Sequence, residues 1–156
     1  LAMVEQLNSL FALFDVEINK LGLEKIKSIG DAYMVAGGVP NPLPDHAVAV
    51  ARLGLTIQAR IAEMNKHRLQ PWCIRTGITS GPVVAGVIGQ KRFIYDVWGD
   101  TVNNASRLES AASTNEILIS DSTRQLLGDA FICESMPPME LKGLGKQKVW
   151  KLISEK

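Results

Sequence analysis

Of the 156 residues, 46% carry apolar side chains, enough to fill the core of one domain of ordinary size, which excludes an intrinsically disordered chain. Lysine plus arginine is 17 against 16 for aspartate plus glutamate, so at a net charge of +1 no global field draws the chain to nucleic acid or membrane, and a bound anion must be held locally. Two cysteines, Cys73 and Cys133, lack both the density of a disulfide scaffold and paired metal-ligand spacing; we expect buried thiols in a reducing compartment.

No window approaches the roughly 18 uninterrupted apolar residues of a membrane span, and no signal-peptide pattern opens the chain, so no membrane contact is expected of it. It begins at Leu1 already inside a helical pattern, and a segment ahead of Leu1 is expected. From Val4, the apolar residues Leu7, Leu10, Phe11, Phe14 and Ile18 recur at helical steps until Gly22. Lys25 to Ile29 and Ala32 to Ala36 then alternate as strands, making a hairpin with Gly30-Asp31 at its tip. Pro40, Pro42 and Pro44 stiffen a connection to Asp45, a candidate N-cap for a helix to about Lys66 whose face is Val48, Ala51, Leu55, Ala59 and Ala62.

Trp72 to Ile78 and Val83 to Ile88 read as strands separated by Ser80-Gly81-Pro82, and Phe93 to Val97 as another. Trp98-Gly99 turns the chain, and Asp100 or Thr101 caps a helix to about Ala112 with Val102, Ala105, Leu108 and Ala112 toward the core. A strand at Ile117 to Ser120, a short helix at Asp121 to Leu127 and closing strands near Phe131 to Glu134 and Lys148 to Ile153 complete it. Such mixing favours one sheet with helices packed against it over a bundle or a sandwich.

Asp96 lies on a strand that leads into a turn, and Asn103 and Arg107 follow on one helix face at a spacing of four. A carboxylate, an amide and a guanidinium so placed suit a polar ligand with an anionic part, although Arg107 could equally pair with Glu109 or another surface acid. Asp31 at the hairpin tip could hold a hard cation, or be an ordinary turn residue after glycine. Lys27, which alternates with Ile26 and Ile29, reads as a solvated strand lysine, and Lys142 sits in a glycine-flanked basic turn that could approach phosphate. His46 and His67 have no ligand partners at useful spacing and are expected at the surface.

Three blocks together carry a resemblance: Lys25-Ile26-Lys27-Ser28-Ile29-Gly30-Asp31-Ala32-Tyr33-Met34, Gly81-Pro82-Val83-Val84-Ala85-Gly86, and the run from Tyr95 through Trp98-Gly99-Asp100-Thr101-Val102-Asn103-Asn104-Ala105-Ser106-Arg107 to Ser110. They resemble the class III nucleotide cyclase catalytic domain, and Leu141-Lys142-Gly143 resembles its closing strand region. The resemblance spans nearly the whole of residues 1–156, read as a single domain, and implies a ferredoxin-like (βαββαβ) α+β fold that pairs head to tail with active sites at the dimer interface. It implies cyclisation of a nucleoside triphosphate with two divalent metal ions, magnesium or manganese. Under it Asp31 matches a metal-binding aspartate, Lys27 and Asp96 the pair that reads adenine, Asn103 the residue that orients the ribose, Arg107 the one that stabilises the pentavalent phosphorus, and Lys142 the one that binds the terminal phosphates.

Lysine and aspartate at the purine positions favour ATP over GTP, because guanine presents the reversed donor and acceptor edge. The first strand of the family, with its second metal aspartate, is expected ahead of Val4 and has no counterpart in these residues, so this 156-residue chain is expected to be inactive or weak. The resemblance implies a cytoplasmic catalytic domain, whether or not its parent is membrane-anchored. The alternatives are a guanylate cyclase and a non-catalytic nucleotide-binding partner of the same family. An RNA-binding module is disfavoured by the near-neutral charge and the absence of paired aromatics on the strands.

Overall fold

The computed structural model describes residues 2–92 and 94–156. Chain order is α1 (Ala2–Leu21), β1 (Glu24–Ile29), β2 (Ala32–Ala36), α2 (His46–Asn65), β3 (Thr76–Ile78), β4 (Val84–Ile88), β5 (Ile94–Trp98), α3 (Asp100–Ala111), β6 (Ile117–Ser120), α4 (Asp121–Leu127), β7 (Phe131–Leu141) and β8 (Gly145–Glu155). The architecture is α+β. The strands form a four-stranded sheet of order β3-β6-β8-β7 and two antiparallel ribbons, β1-β2 and β4-β5, in place of the single sheet expected.

β6 explains the layering. All four of its residues are buried, and period-two alternation divides them between two helices. Ile117 and Ile119 pack with Ala47 and Ala51 of α2, while Leu118 packs with Leu108 and Ala112 at the end of α3. The far side of α2 presents Leu53, Ile57 and Ile61 to Leu10, Phe14 and Ile18 of α1. Because α2 is covered on two sides, its buried residues wrap further round than the expected stripe, and Ala59 and Ala62 are exposed.

Asp45 does stand at the N-cap position of α2 but makes no side-chain hydrogen bond there; its carbonyl instead accepts from the Ala49 N–H at 3.0 Å. β3 is shorter than expected because asparagine side chains satisfy the backbone that precedes it. Asn65 exchanges two 2.8 Å hydrogen bonds with the Trp72 backbone, and Asn115 Oδ1 accepts from the Ile74 N–H at 3.2 Å. Cys73 in that segment is exposed and Cys133 half-buried, which corrects the expectation of two buried thiols. His67 is exposed and His46 half-buried. Of the expected strand Phe93 to Val97, Phe93 lies outside the described residues, as does Leu1 at the start of the first helix.

Two glycines place α3. Gly99 has φ +126° and ψ −179°, a conformation essentially confined to glycine, and so lets β5 pass directly into the helix; it occupies the N-cap position expected for Asp100 or Thr101. Gly77 on β3 faces the helix backbone: a Cβ there would stand 2.3 Å from the Ala105 carbonyl oxygen and 2.5 Å from the Glu109 nitrogen. Only a residue without a side chain permits that approach.

Candidate active site

Lys27 and Asp96 meet although 69 positions separate them. A register shift between Lys25 and Lys27 interrupts the β1-β2 ladder, so simple alternation does not describe this edge: Ile26 is buried, Ile29 is exposed, and Lys27 turns toward β5 instead of into solvent. Its ammonium donates to Asp96 Oδ2 at 3.0 Å, and Asp96 Oδ1 accepts from the Val97 N–H at 2.8 Å. Asp96 is 7% exposed. The hydrogen bond from Lys27 holds its carboxyl below the usual carboxylate range, with help from the Val97 N–H and the Lys27 charge and against the opposing effect of burial.

The β4-β5 register sets Val84 opposite Trp98, Gly86 opposite Asp96 and Ile88 opposite Ile94, so these six residues share one face of the ribbon. Val84, Ile88 and Ile94 are half or more exposed and Trp98 is 37% exposed. An open apolar surface therefore adjoins a charged pair that retains unused capacity. One ammonium proton and one acceptor site are spent between Lys27 and Asp96, which leaves further donors and lone pairs for a flat heterocycle that carries both.

Asn103 and Arg107 are exposed on α3, beyond the end of the strand that carries Asp96. The alternative pairing of Arg107 with Glu109 does not occur. Glu109 binds Arg75 at 3.3 Å, while Arg107 reaches the Glu140 carbonyl at 3.5 Å. A shallow depression of about 480 Å³ lies beside it, lined by Ser106, Ser110, Ala111, Met139 and Glu140. Lys142, in the turn between β7 and β8, lies 3.8 Å from Asp100 at the start of α3. α3 thus carries the amide and the guanidinium, with the Lys142 ammonium beside its first turn and the Lys27–Asp96 pair at the strand that feeds it.

The adenylate and guanylate cyclase catalytic domain family model matches residues 1–154. This chain belongs to the class III nucleotide cyclase catalytic domain family. It is 44% identical over 154 residues to an adenylate cyclase of Mycobacterium tuberculosis, covering 99% of this chain and 35% of that protein. It is 42% identical over 154 residues to guanylate cyclase soluble subunit beta-2 of Rattus norvegicus, covering 97% of this chain and 22% of that protein. The guanylate cyclase domain of RhGC from Catenaria anguillulae, solved in complex with GTP, superposes with a TM-score of 0.89 at 37% identity over 99% of this chain and 85% of that one. The chain therefore spans about a third or less of these two curated relatives' length.

Class III cyclase domains generally depend on divalent metal ions. The described residues of this cyclase domain do not by themselves fit such ions. Asp31 is exposed at the hairpin tip, and among the described residues no three His, Cys, Asp or Glu side chains gather as a ligand set. Among the described residues no helix is long and apolar enough to cross a membrane.

A polar residue not singled out from the sequence is Asn104, which α3 buries together with Leu108. The signal was present: Asn104 precedes Leu108 by four residues and so lies on the inward face, where an amide must find partners.

Proposed function

We propose that this domain converts ATP to 3′,5′-cyclic AMP and pyrophosphate at a site shared by two head-to-tail copies of the chain. The observation that carries the reading is the Lys27–Asp96 pair, held at 3.0 Å beside the open apolar face of β4-β5. An ammonium suits adenine N1 and a carboxylate suits the 6-amino group, and stacking of the base on exposed Ile94 and Trp98 would add apolar contact.

In this reading the ribose 3′-oxygen attacks the α-phosphorus in line. The new O3′–P bond forms as the bond from phosphorus to the bridging oxygen breaks; pyrophosphate carries away that electron pair and the hydroxyl proton passes to solvent. Asn103 orients the ribose, the Arg107 guanidinium meets the charge gathering on the phosphoryl oxygens, and Lys142 holds the terminal phosphates. These five residues serve one nucleotide from one protomer, and Asp31 comes from the other. The exposed apolar residues of β4-β5 support burial against a second copy.

Relatives of both nucleotide specificities favour a second reading, in which GTP is the substrate. The donor set of the described residues also supports low activity for the 156-residue chain on its own. Both points are tested by measuring cyclic AMP and cyclic GTP formation with manganese, for this chain and for the same chain extended at its N-terminus by the corresponding segment of the mycobacterial relative. Faster turnover of ATP than GTP, seen mainly in the extended chain, is expected. Equal rates on the two nucleotides would remove the purine argument, and no cyclic product from either chain would leave a non-catalytic partner.

A further inference from the structure

Asn104 is 2% exposed where α3 meets the β7-β8 turn. Its amide nitrogen donates to the Lys142 carbonyl at 3.1 Å, and its amide oxygen accepts from the Lys142 N–H at 2.7 Å. One side chain thereby satisfies both backbone groups of one residue, as a neighbouring strand would, just past the Leu141–Gly145 pair at which the β7-β8 ladder ends. One turn earlier on the helix Asp100 lies 3.8 Å from the Lys142 ammonium, and one turn later Arg107 reaches the Glu140 carbonyl at 3.5 Å. The same helix face therefore carries the guanidinium assigned to the α-phosphate and grips the turn that carries the ammonium assigned to the terminal phosphates.

We propose that Asn104 is a positioning residue for triphosphate recognition, clamping the Lys142 backbone to α3 so that Lys142 and Arg107 hold a fixed separation along the phosphate chain. This rests on the cyclase reading of those two cations. Asn104 meets no substrate and acts through Lys142. Without the clamp the ammonium keeps its charge and loses its place, which weakens a nucleotide with terminal phosphates and leaves one without them untouched.

The test is equilibrium binding of ATP and of AMP to wild type, Asn104→Ala, Lys142→Ala and the double variant. Wild type is expected to prefer ATP. Asn104→Ala should narrow that preference about tenfold, the scale of a hydrogen bond to a charged group, with AMP binding unchanged and no further loss when Lys142 is already alanine. Amide hydrogen exchange should quicken at Lys142 while Leu118 and Ile119 stay protected. An unchanged ATP-to-AMP ratio in Asn104→Ala overturns the proposal and leaves the cyclase reading standing. A wild type that does not distinguish ATP from AMP overturns the reading of Lys142 and the proposal with it. If Asn104→Ala loses protection at Leu118, Asn104→Asp is read by the same ratio: it keeps the shape and the acceptor for the Lys142 N–H but cannot donate to the carbonyl.

Discussion

At the scale of single residues, the pair formed by Lys27 and Asp96 makes two measurable statements. The Asp96 carboxyl titrates below its ordinary value because the charged form accepts from Lys27 and from the Val97 N–H. A folded-state pKa below the unfolded one contributes stability that is present above the unfolded carboxylate range near ~4 and lost as pH falls through the folded value. Lys27→Met should therefore raise the Asp96 titration midpoint, followed by carboxylate carbon shifts in NMR. An identical midpoint in the two proteins would show that the pair does not set the ionisation. The second statement concerns choice of base. Exchanging Lys27→Glu together with Asp96→Cys reverses the donor and acceptor order and should shift the ATP-to-GTP rate ratio of the extended chain toward GTP by at least about tenfold, a charged hydrogen bond's worth of discrimination. Retention of the ATP preference would place base recognition elsewhere.

Between elements, the site depends on how closely α3 lies on β3. Gly77→Ala would set a methyl group against the Ala105 carbonyl and the Glu109 amide, neither of which can yield without moving the helix. The expected loss is about 3 kcal/mol, the upper end of ordinary overpacking, read as a fall in the urea midpoint. A loss below about 0.5 kcal/mol, typical of a surface change, would mean that the helix is free to move. Element boundaries show which signals a sequence carries and which it hides. The apolar period of α1 and the Gly30-Asp31 turn are local, and both were legible. The full length of β7 was not: the expected strand stops near Glu134, whereas β7 runs on through Pro137 and Pro138 to Leu141. The two prolines are tolerated because β7 is an edge strand and its register to β8 shifts between Met136 and Met139. The split into a sheet and two ribbons was equally hidden, since it depends on which strands share a ladder.

For the molecule as a whole, the candidate site is divided in the same manner. The blocks around Lys27, Asp96 and the α3 residues were legible through their resemblance to the cyclase family; from its own neighbours Lys27 reads as a solvated strand lysine. What joins the blocks, such as the ladder interruption that turns Lys27 to Asp96 and the buried amide that ties Lys142 to Asn104, is a product of tertiary packing. Under the proposed function the remaining division lies between chains, one protomer supplying the nucleotide-binding residues and its partner Asp31, which is exposed at a hairpin tip without companions among the described residues. The most direct test of a shared site mixes two defective variants of the extended chain, Asp31→Ala and Arg107→Ala. Each alone should form almost no cyclic AMP, and the mixture should recover about one quarter of wild-type activity, since half of randomly paired dimers are mixed and each of those holds one intact site of two. A mixture as inactive as its components, or full activity in either variant alone, would contradict the account.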